Sequence, residues 1–91
     1  MKNTRKSNAQ ILPPEVVNDL ERIEWESMPE KTRGAIITLL QFGDSAVEIE
    51  AHMLGVIKKQ YPHLPAWRQR NHAARYFMAA NHALRNNLHL N

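Results

Sequence analysis

A line of cationic and histidine side chains in the last third of the chain is the constellation best suited to chemistry. Its members recur at spacings of 3, 4 and 7 residues, which place side chains on one face of a helix. Such a face can follow a phosphate backbone, and its Arg and Asn side chains can contact base edges in a major groove. The candidate nucleic-acid-binding residues are Arg68, Asn71, His72, Arg75, Asn81, His82 and Arg85.

The distribution of charge leaves two other interpretations of this face open. Residues 58–91 contain six Lys and Arg and no acid, whereas residues 13–30 contain six acids and one arginine. The basic face is therefore also suited to binding another protein, or to being a solvated surface that pairs with the acidic segment of the same molecule. If the two segments face each other at salt-bridge distance, docking of either kind becomes less favourable.

Aromatic residues supply the candidate protein contacts. Trp25 lies between Glu24 and Glu26, off the apolar stripe of its helix, and an exposed tryptophan in that setting suits a protein interface. The alternative for Trp25 is a cap over the core. Tyr76 follows Arg75 and is offset from the core stripe, so we expect it to be exposed and to contact a partner. Trp67 and Phe77 are expected in the core.

The sequence gives little support for catalysis or metal binding. It contains no His-Glu-x-x-His motif, phosphate loop or serine elbow, and its lack of cysteine excludes disulfides, thiolate zinc sites and thiol nucleophiles. Glu48 and His52 fit an ordinary pair on a helix surface. His82 and His89 lack a clear third metal ligand. We therefore predict a protein that is not an enzyme, with no catalytic residue, metal or cofactor.

Helical periodicity dominates the chain, and no segment alternates with the period of a strand. The first helix is expected at about 14–26 and the fourth at about 65–88. Capping boxes are predicted at 27–30 and 45–48 and open the second and third helices, and Gly43 is placed to end the second helix in a left-handed conformation. The sequence thus predicts an all-α fold.

The expected architecture is a compact three- or four-helix bundle with a long basic C-terminal helix. Residues 1–10 are predicted to be a disordered basic tail and residues 11–91 a single helical domain. The second and third helices are expected to form the centre. The predicted core positions of the outer two helices are Val16, Leu20 and Ile23 on the first and Trp67, Ala74, Phe77, Met78, Leu84 and Leu88 on the fourth.

Two short segments resemble known families. Residues 45–56 resemble the first helix and turn of a helix-turn-helix DNA-binding motif, with Ala51, Gly55 and Val56 at its small, glycine and aliphatic positions. Pro62 and Pro65 depart from that motif, because they lie where its second helix would continue. Two arrangements remain open: the third helix runs through Gly55, which then permits close helix approach, or Gly55 ends it and the fourth helix is the reader. We favour the first.

Residues 60–67 resemble the start of the third helix in the theta subunit of bacterial DNA polymerase III. That subunit is a small accessory protein that binds the proofreading subunit. The resemblance implies that a basic helical domain can serve a replication protein without reading DNA.

These patterns predict a small non-catalytic nucleic-acid-binding protein, regulatory or accessory, that contacts phosphates with its C-terminal helix and basic tail. The alternative is an accessory or inhibitor protein that docks on a replication or transcription protein through its charged faces. A homodimer that pairs the first helix with the fourth is a further arrangement. No apolar run is long enough for a signal peptide core or a membrane span, so we expect a cytoplasmic protein without a membrane partner.

Overall fold

The computed structural model describes residues 12–90, and over this range the chain is all-α, as predicted. The described residues form a small bundle whose last helix is the longest. The predicted tail over 1–10 lies outside the described residues. The four helices are α1 (Pro14–Ser27), α2 (Glu30–Gln41), α3 (Ala46–Gln60) and α4 (Ala66–Arg85).

The capping box at the start of α3 and the left-handed glycine before it are both present, as predicted. The N–H of Glu48 donates to Ser45 Oγ at 3.1 Å, and the N–H of Ser45 donates to Glu48 Oε1 at 2.8 Å. These two bonds complete a capping box, which satisfies two of the donors left free at a helix start. Gly43 has a φ of 101° after the end of α2, a conformation that glycine adopts without steric cost.

The capping box predicted at residues 27–30 is wrong. Ser27 is the last residue of α1, and its hydroxyl donates to the carbonyl oxygen of Glu24 at 2.9 Å. Met28 and Pro29 are both extended, with ψ values of 144° and 151°. Proline disfavours the helical region for the residue before it, so the chain leaves the helix at Met28 and α2 begins without a side-chain cap.

α3 continues through Gly55 without a break, which confirms the helix course of the first arrangement and removes the turn of the helix-turn-helix resemblance. A Cβ at Gly55 would meet nothing within 4 Å, so the expectation that this glycine permits close helix approach is wrong. The turn comes later, after Tyr61, and the side-chain amide of the buried Gln69 donates to the Tyr61 carbonyl oxygen at 3.0 Å. This bond ties the start of α4 to the end of α3.

α4 occupies the centre of the bundle, where the second and third helices were expected. It packs against each of the other three helices. A helix with neighbours on several sides needs small side chains to let them approach, and the buried face of α4 is largely alanine. Trp67, expected in the core, is 58% exposed, and Leu88 is exposed as well. The fully buried alanines are Ala73, Ala79, Ala80 and Ala83.

α1 presents the opposite face from the one predicted. Val16, Leu20 and Ile23 are 38%, 40% and 51% exposed, whereas Glu21 and Trp25 are buried. The reason lies on α4, whose surface toward α1 carries polar and cationic side chains. The inward face of α1 carries Glu21 and Glu24, which pair with those side chains, together with Trp25 of the core cluster, whereas the aliphatic stripe turns outward.

Candidate functional site

The predicted basic stripe of α4 divides into two parts with different surroundings. Its amino-terminal part, Arg68, Asn71 and His72, is exposed to solvent. Its carboxyl-terminal part lies against α1 and contacts that helix directly. The seven candidate residues therefore do not form one continuous free surface.

Two ion pairs join the carboxyl-terminal part of the stripe to α1. Arg75 Nε donates to Glu24 Oε1 at 2.8 Å. Arg85 Nη1 donates to Glu21 Oε1, and Asn81 Nδ2 donates to Glu21 Oε2 at 3.4 Å. The Glu21 side chain is only 5% exposed, and a carboxylate in that position requires such partners. The interpretation in which acidic and basic segments of one molecule pair is thus confirmed for Arg75 and Arg85.

An aromatic contact extends this α1–α4 interface. The rings of Trp25 and His82 lie with their centroids 6.2 Å apart and their planes tilted by 35°. Trp25 belongs to the buried core cluster, so the prediction that it is an exposed protein contact is wrong, and the alternative, a cap over the core, is correct. Tyr76 is half-buried and packs against the same cluster. It is therefore not the exposed aromatic that its position beside Arg75 suggested.

Four exposed cations lie on either side of the connection between α3 and α4, with Arg68 and Arg70 on different sides of α4 because they are two positions apart, and we call this set the basic corner. It consists of Lys58 and Lys59 in the last turn of α3 and Arg68 and Arg70 near the start of α4. Within residues 12–90 none of the four takes part in an ion pair. The first turn of α4 holds no acid, so the positive end of that helix dipole adds to the same field.

An exposed aromatic surface adjoins the basic corner. The guanidinium carbon of Arg68 lies 6.0 Å from the ring centroid of Trp67, a distance at which a cation and a ring face attract each other. Tyr61 is exposed in the turn nearby. Exposed rings next to cations are the features on which nucleic-acid bases stack while their phosphates are neutralised.

Sequence reasoning missed most of this corner. The helical spacing that predicts a stripe on one face of the fourth helix includes Arg68 but not Lys58, Lys59 or Arg70. Trp67 was assigned to the core on spacing alone. The stretch without acidic residues that starts at residue 58 indicates a wider basic surface, since it begins in α3 and not in α4.

A groove of about 550 Å³ opens between the α1–α2 junction, α3 and α4. Its lining is mainly aliphatic and aromatic and contains no carboxylate. Arg75, which pairs with Glu24, is the one Lys or Arg among its lining residues. Its apolar lining includes Met53, Val56, Ile57, Tyr61, Leu64 and Tyr76.

Neither a metal site nor a membrane-spanning helix is found in the described part of the chain. No three His, Asp or Glu side chains of residues 12–90 gather in a way that could hold an ion. None of the four helices combines the length and the apolar character needed to cross a bilayer.

Comparison with known proteins gives no relative from which a function can be carried over. No protein family model, curated protein or solved structure matches this chain.

Proposed function

We propose that this chain is a small non-catalytic nucleic-acid-binding protein that contacts phosphates through the basic corner. The observation that carries the proposal is the set of four exposed cations, free of ion pairs within residues 12–90, beside the exposed Trp67. Each phosphate neutralised by such a cation releases counterions, which makes the binding favourable and dependent on salt.

The carboxyl-terminal part of the original stripe contributes less in this proposal. Glu24 already pairs with Arg75, and Glu21 with Arg85. A phosphate approaching either arginine meets a carboxylate beside it, so the attraction of each arginine is largely offset. No ion pair with α1 involves the amino-terminal part of the stripe. The candidate phosphate contacts are therefore Arg68, Arg70, Asn71 and His72 on α4 and Lys58 and Lys59 on α3.

The salt dependence of binding tests this proposal. Fluorescence anisotropy of a labelled duplex should report binding at low ionic strength, with a log–log salt slope of about −0.9 for each phosphate contacted. The double variant Arg68→Gln/Arg70→Gln should bind more weakly and flatten the slope by about 1.8, since two contacts are removed.

A matched control distinguishes a specific effect of the basic corner from the effect of lowering the net charge of the protein. The variant Lys31→Gln/Arg33→Gln also removes two cations, but from α2, and it should leave the slope nearly unchanged. Absence of binding to any duplex or single strand at low salt contradicts the proposal. Equal weakening by the two double variants contradicts the assignment to the basic corner.

A second candidate function is docking on another protein through a charged face. It is favoured by the outer side of α1, where Glu15, Asp19 and Glu26 are exposed. A pull-down from nuclease-treated lysate should then retain one stoichiometric protein, and the variant Asp19→Lys/Glu26→Lys should lose it. If the wild-type chain retains nothing specific, this candidate is removed.

A further inference from the structure

The outward side of the first two turns of α4 places an exposed indole ring between two cations. Trp67 is 58% exposed, and Arg68, Arg70 and Asn71 are exposed around it. With about 3.6 residues per turn, Arg68 lies about 100° to one side of Trp67 and Arg70 about 60° to the other, whereas Asn71 lies within about 40° of it. A ligand that crosses this side of the helix therefore meets a flat apolar ring flanked by positive charge.

The buried side of the same two turns fixes the direction of the ring. Gln69, two positions after Trp67, is buried, and its side-chain amide donates to the Tyr61 carbonyl oxygen at 3.0 Å. Ala73 is buried one turn further along. Residues two positions apart do not share a face of a helix. Packing of Gln69 and Ala73 against the bundle therefore turns Trp67 toward solvent.

The exposed ring distinguishes a single strand from a duplex. In a duplex each base is covered by its neighbours in the stack, and only base edges are open in the grooves. In a single strand the base faces are accessible, and any base can stack on an aromatic side chain. The Arg68 guanidinium carbon lies 6.0 Å from the Trp67 ring centroid, so a base on this ring would join an arrangement that already pairs a cation with a π system.

Beyond these two turns α4 has little free surface for a duplex groove. Over 73–85, all within the described residues, only Arg75 and Arg85 are exposed, and both pair with carboxylates of α1. α4 also packs against each of the other three helices. The free part of α4 is residues 66–72, about 10 Å long, which suits a short stretch of unpaired strand.

We propose that the basic corner prefers single-stranded nucleic acid to duplex and stacks one unpaired base on Trp67. This preference rests on the proposed nucleic-acid binding and narrows it to one class of ligand. Phosphates on the two sides of the stacked base meet Arg68 and Arg70, and the Asn71 amide can donate to and accept from the base edge. Because every base has a face that can stack, binding depends little on sequence.

An oligothymidylate and an abasic strand of the same length separate stacking from phosphate contact, since only the first carries bases. With strands of about 10 nucleotides, the full chain should bind oligothymidylate about 5- to 100-fold more tightly than the abasic strand, measured by fluorescence anisotropy. As salt is raised, affinity for oligothymidylate should exceed affinity for a duplex of that length, because salt weakens phosphate contacts more than stacking.

Trp67→Leu tests the ring directly. It should remove the advantage of oligothymidylate over the abasic strand, while the salt slope stays unchanged because no phosphate contact is lost. Trp67 is exposed, so far-UV circular dichroism should show an unchanged fold. The matched control is Phe42→Leu, which removes a ring that is 81% exposed at the end of α2 and should bind like the wild-type chain.

Tryptophan emission gives a second readout of stacking. Trp25 is buried, with its ring centroid 6.2 Å from that of His82, whereas Trp67 is exposed. A stacked base should quench the emission of Trp67, and Trp67→Leu, which keeps only Trp25, should show no quenching. Titration with oligouridylate beside oligothymidylate identifies which of RNA and DNA is held more tightly.

Two results have different consequences. Absence of binding to every strand and duplex at low salt removes the proposed function, and the preference for single strands with it. Equal affinity for oligothymidylate and the abasic strand, with no loss of affinity in Trp67→Leu, overturns the stacking proposal alone and leaves phosphate contact by the basic corner in place.

Discussion

Replacing Arg85 by methionine should lower the free energy of unfolding by about 2 kcal/mol, because Arg85 partners a carboxylate that is almost completely buried. The Glu21 side chain is 5% exposed and would keep only the Asn81 amide, at 3.4 Å. Breaking a fully buried ion pair costs about 3–5 kcal/mol. Arg85 is half exposed, so the expected loss is smaller. Methionine retains most of the aliphatic stem and limits the change in packing.

A loss of this size is large for a domain of 91 residues. Bundles this small have a net stability of only a few kcal/mol, so the variant should lose a substantial part of it. In a domain of this length, about 2 kcal/mol corresponds to a fall in Tm of about 8–16 °C. The effect is therefore measurable both by urea unfolding and by thermal unfolding followed by circular dichroism at the helical band.

Arg22→Met is the matched control for Arg85→Met. It makes the same chemical change on α1, but Arg22 pairs with Asp19 and Glu26 at the exposed surface, and such pairs contribute only about 0–1 kcal/mol. Adding Glu21→Gln to Arg85→Met should recover part of the lost stability, since a neutral amide is less costly to bury than a carboxylate. If Arg85→Met is no less stable than Arg22→Met, the argument that charge pairing fastens α1 to α4 is refuted.

Three further changes test the local structure by urea unfolding. Gly55→Ala should raise the free energy of unfolding by about 0.5–1 kcal/mol, because Gly55 lies inside α3 with free space around it. Gly43→Ala should lower it by about 1 kcal/mol, because φ is 101° at that position; a change of the same sign at both glycines would contradict this reasoning. Ser45→Ala should cost about 1 kcal/mol by removing the side-chain acceptor of the capping box, and an unchanged stability would mean that this cap contributes nothing.

Local sequence signals predicted the helices well, because each depends on residues close together in the chain. The capping box of Ser45 and Glu48 and the left-handed Gly43 were both identifiable from residue types. The exception at Ser27 is also local: Pro29 forces Met28 out of the helical region, and this outweighs the favourable serine and glutamate spacing.

The orientation of α1 depended on a partner that periodicity does not reveal. Its aliphatic stripe of Val16, Leu20 and Ile23 predicted the buried face, yet the face that packs on α4 carries Trp25 together with Glu21 and Glu24. Their partners Arg85 and Arg75 are 64 and 51 residues away in sequence. Charge segregation made such pairing one of the interpretations, but only the packing of α1 on α4 selects these residues.

The central position of α4 does not follow from the spacing of its large side chains. Trp67 lies in the first turn of α4 and Leu88 lies beyond its last residue, Arg85, and both are exposed. The middle of α4 is packed on several sides, and its alanines are the residues that fit there. For the same reason the spacing predicted a buried Trp67, which is instead the exposed aromatic beside the basic corner.

Mapping the nucleic-acid contact by NMR tests the central claim most directly. Titration of the isotope-labelled chain with a short duplex at low salt should shift backbone amide signals of residues 58–72 most strongly. Arg75, Asn81 and Arg85 should shift little, because α1 engages them. Largest shifts at these three residues, or no shift anywhere in the chain, would contradict the account.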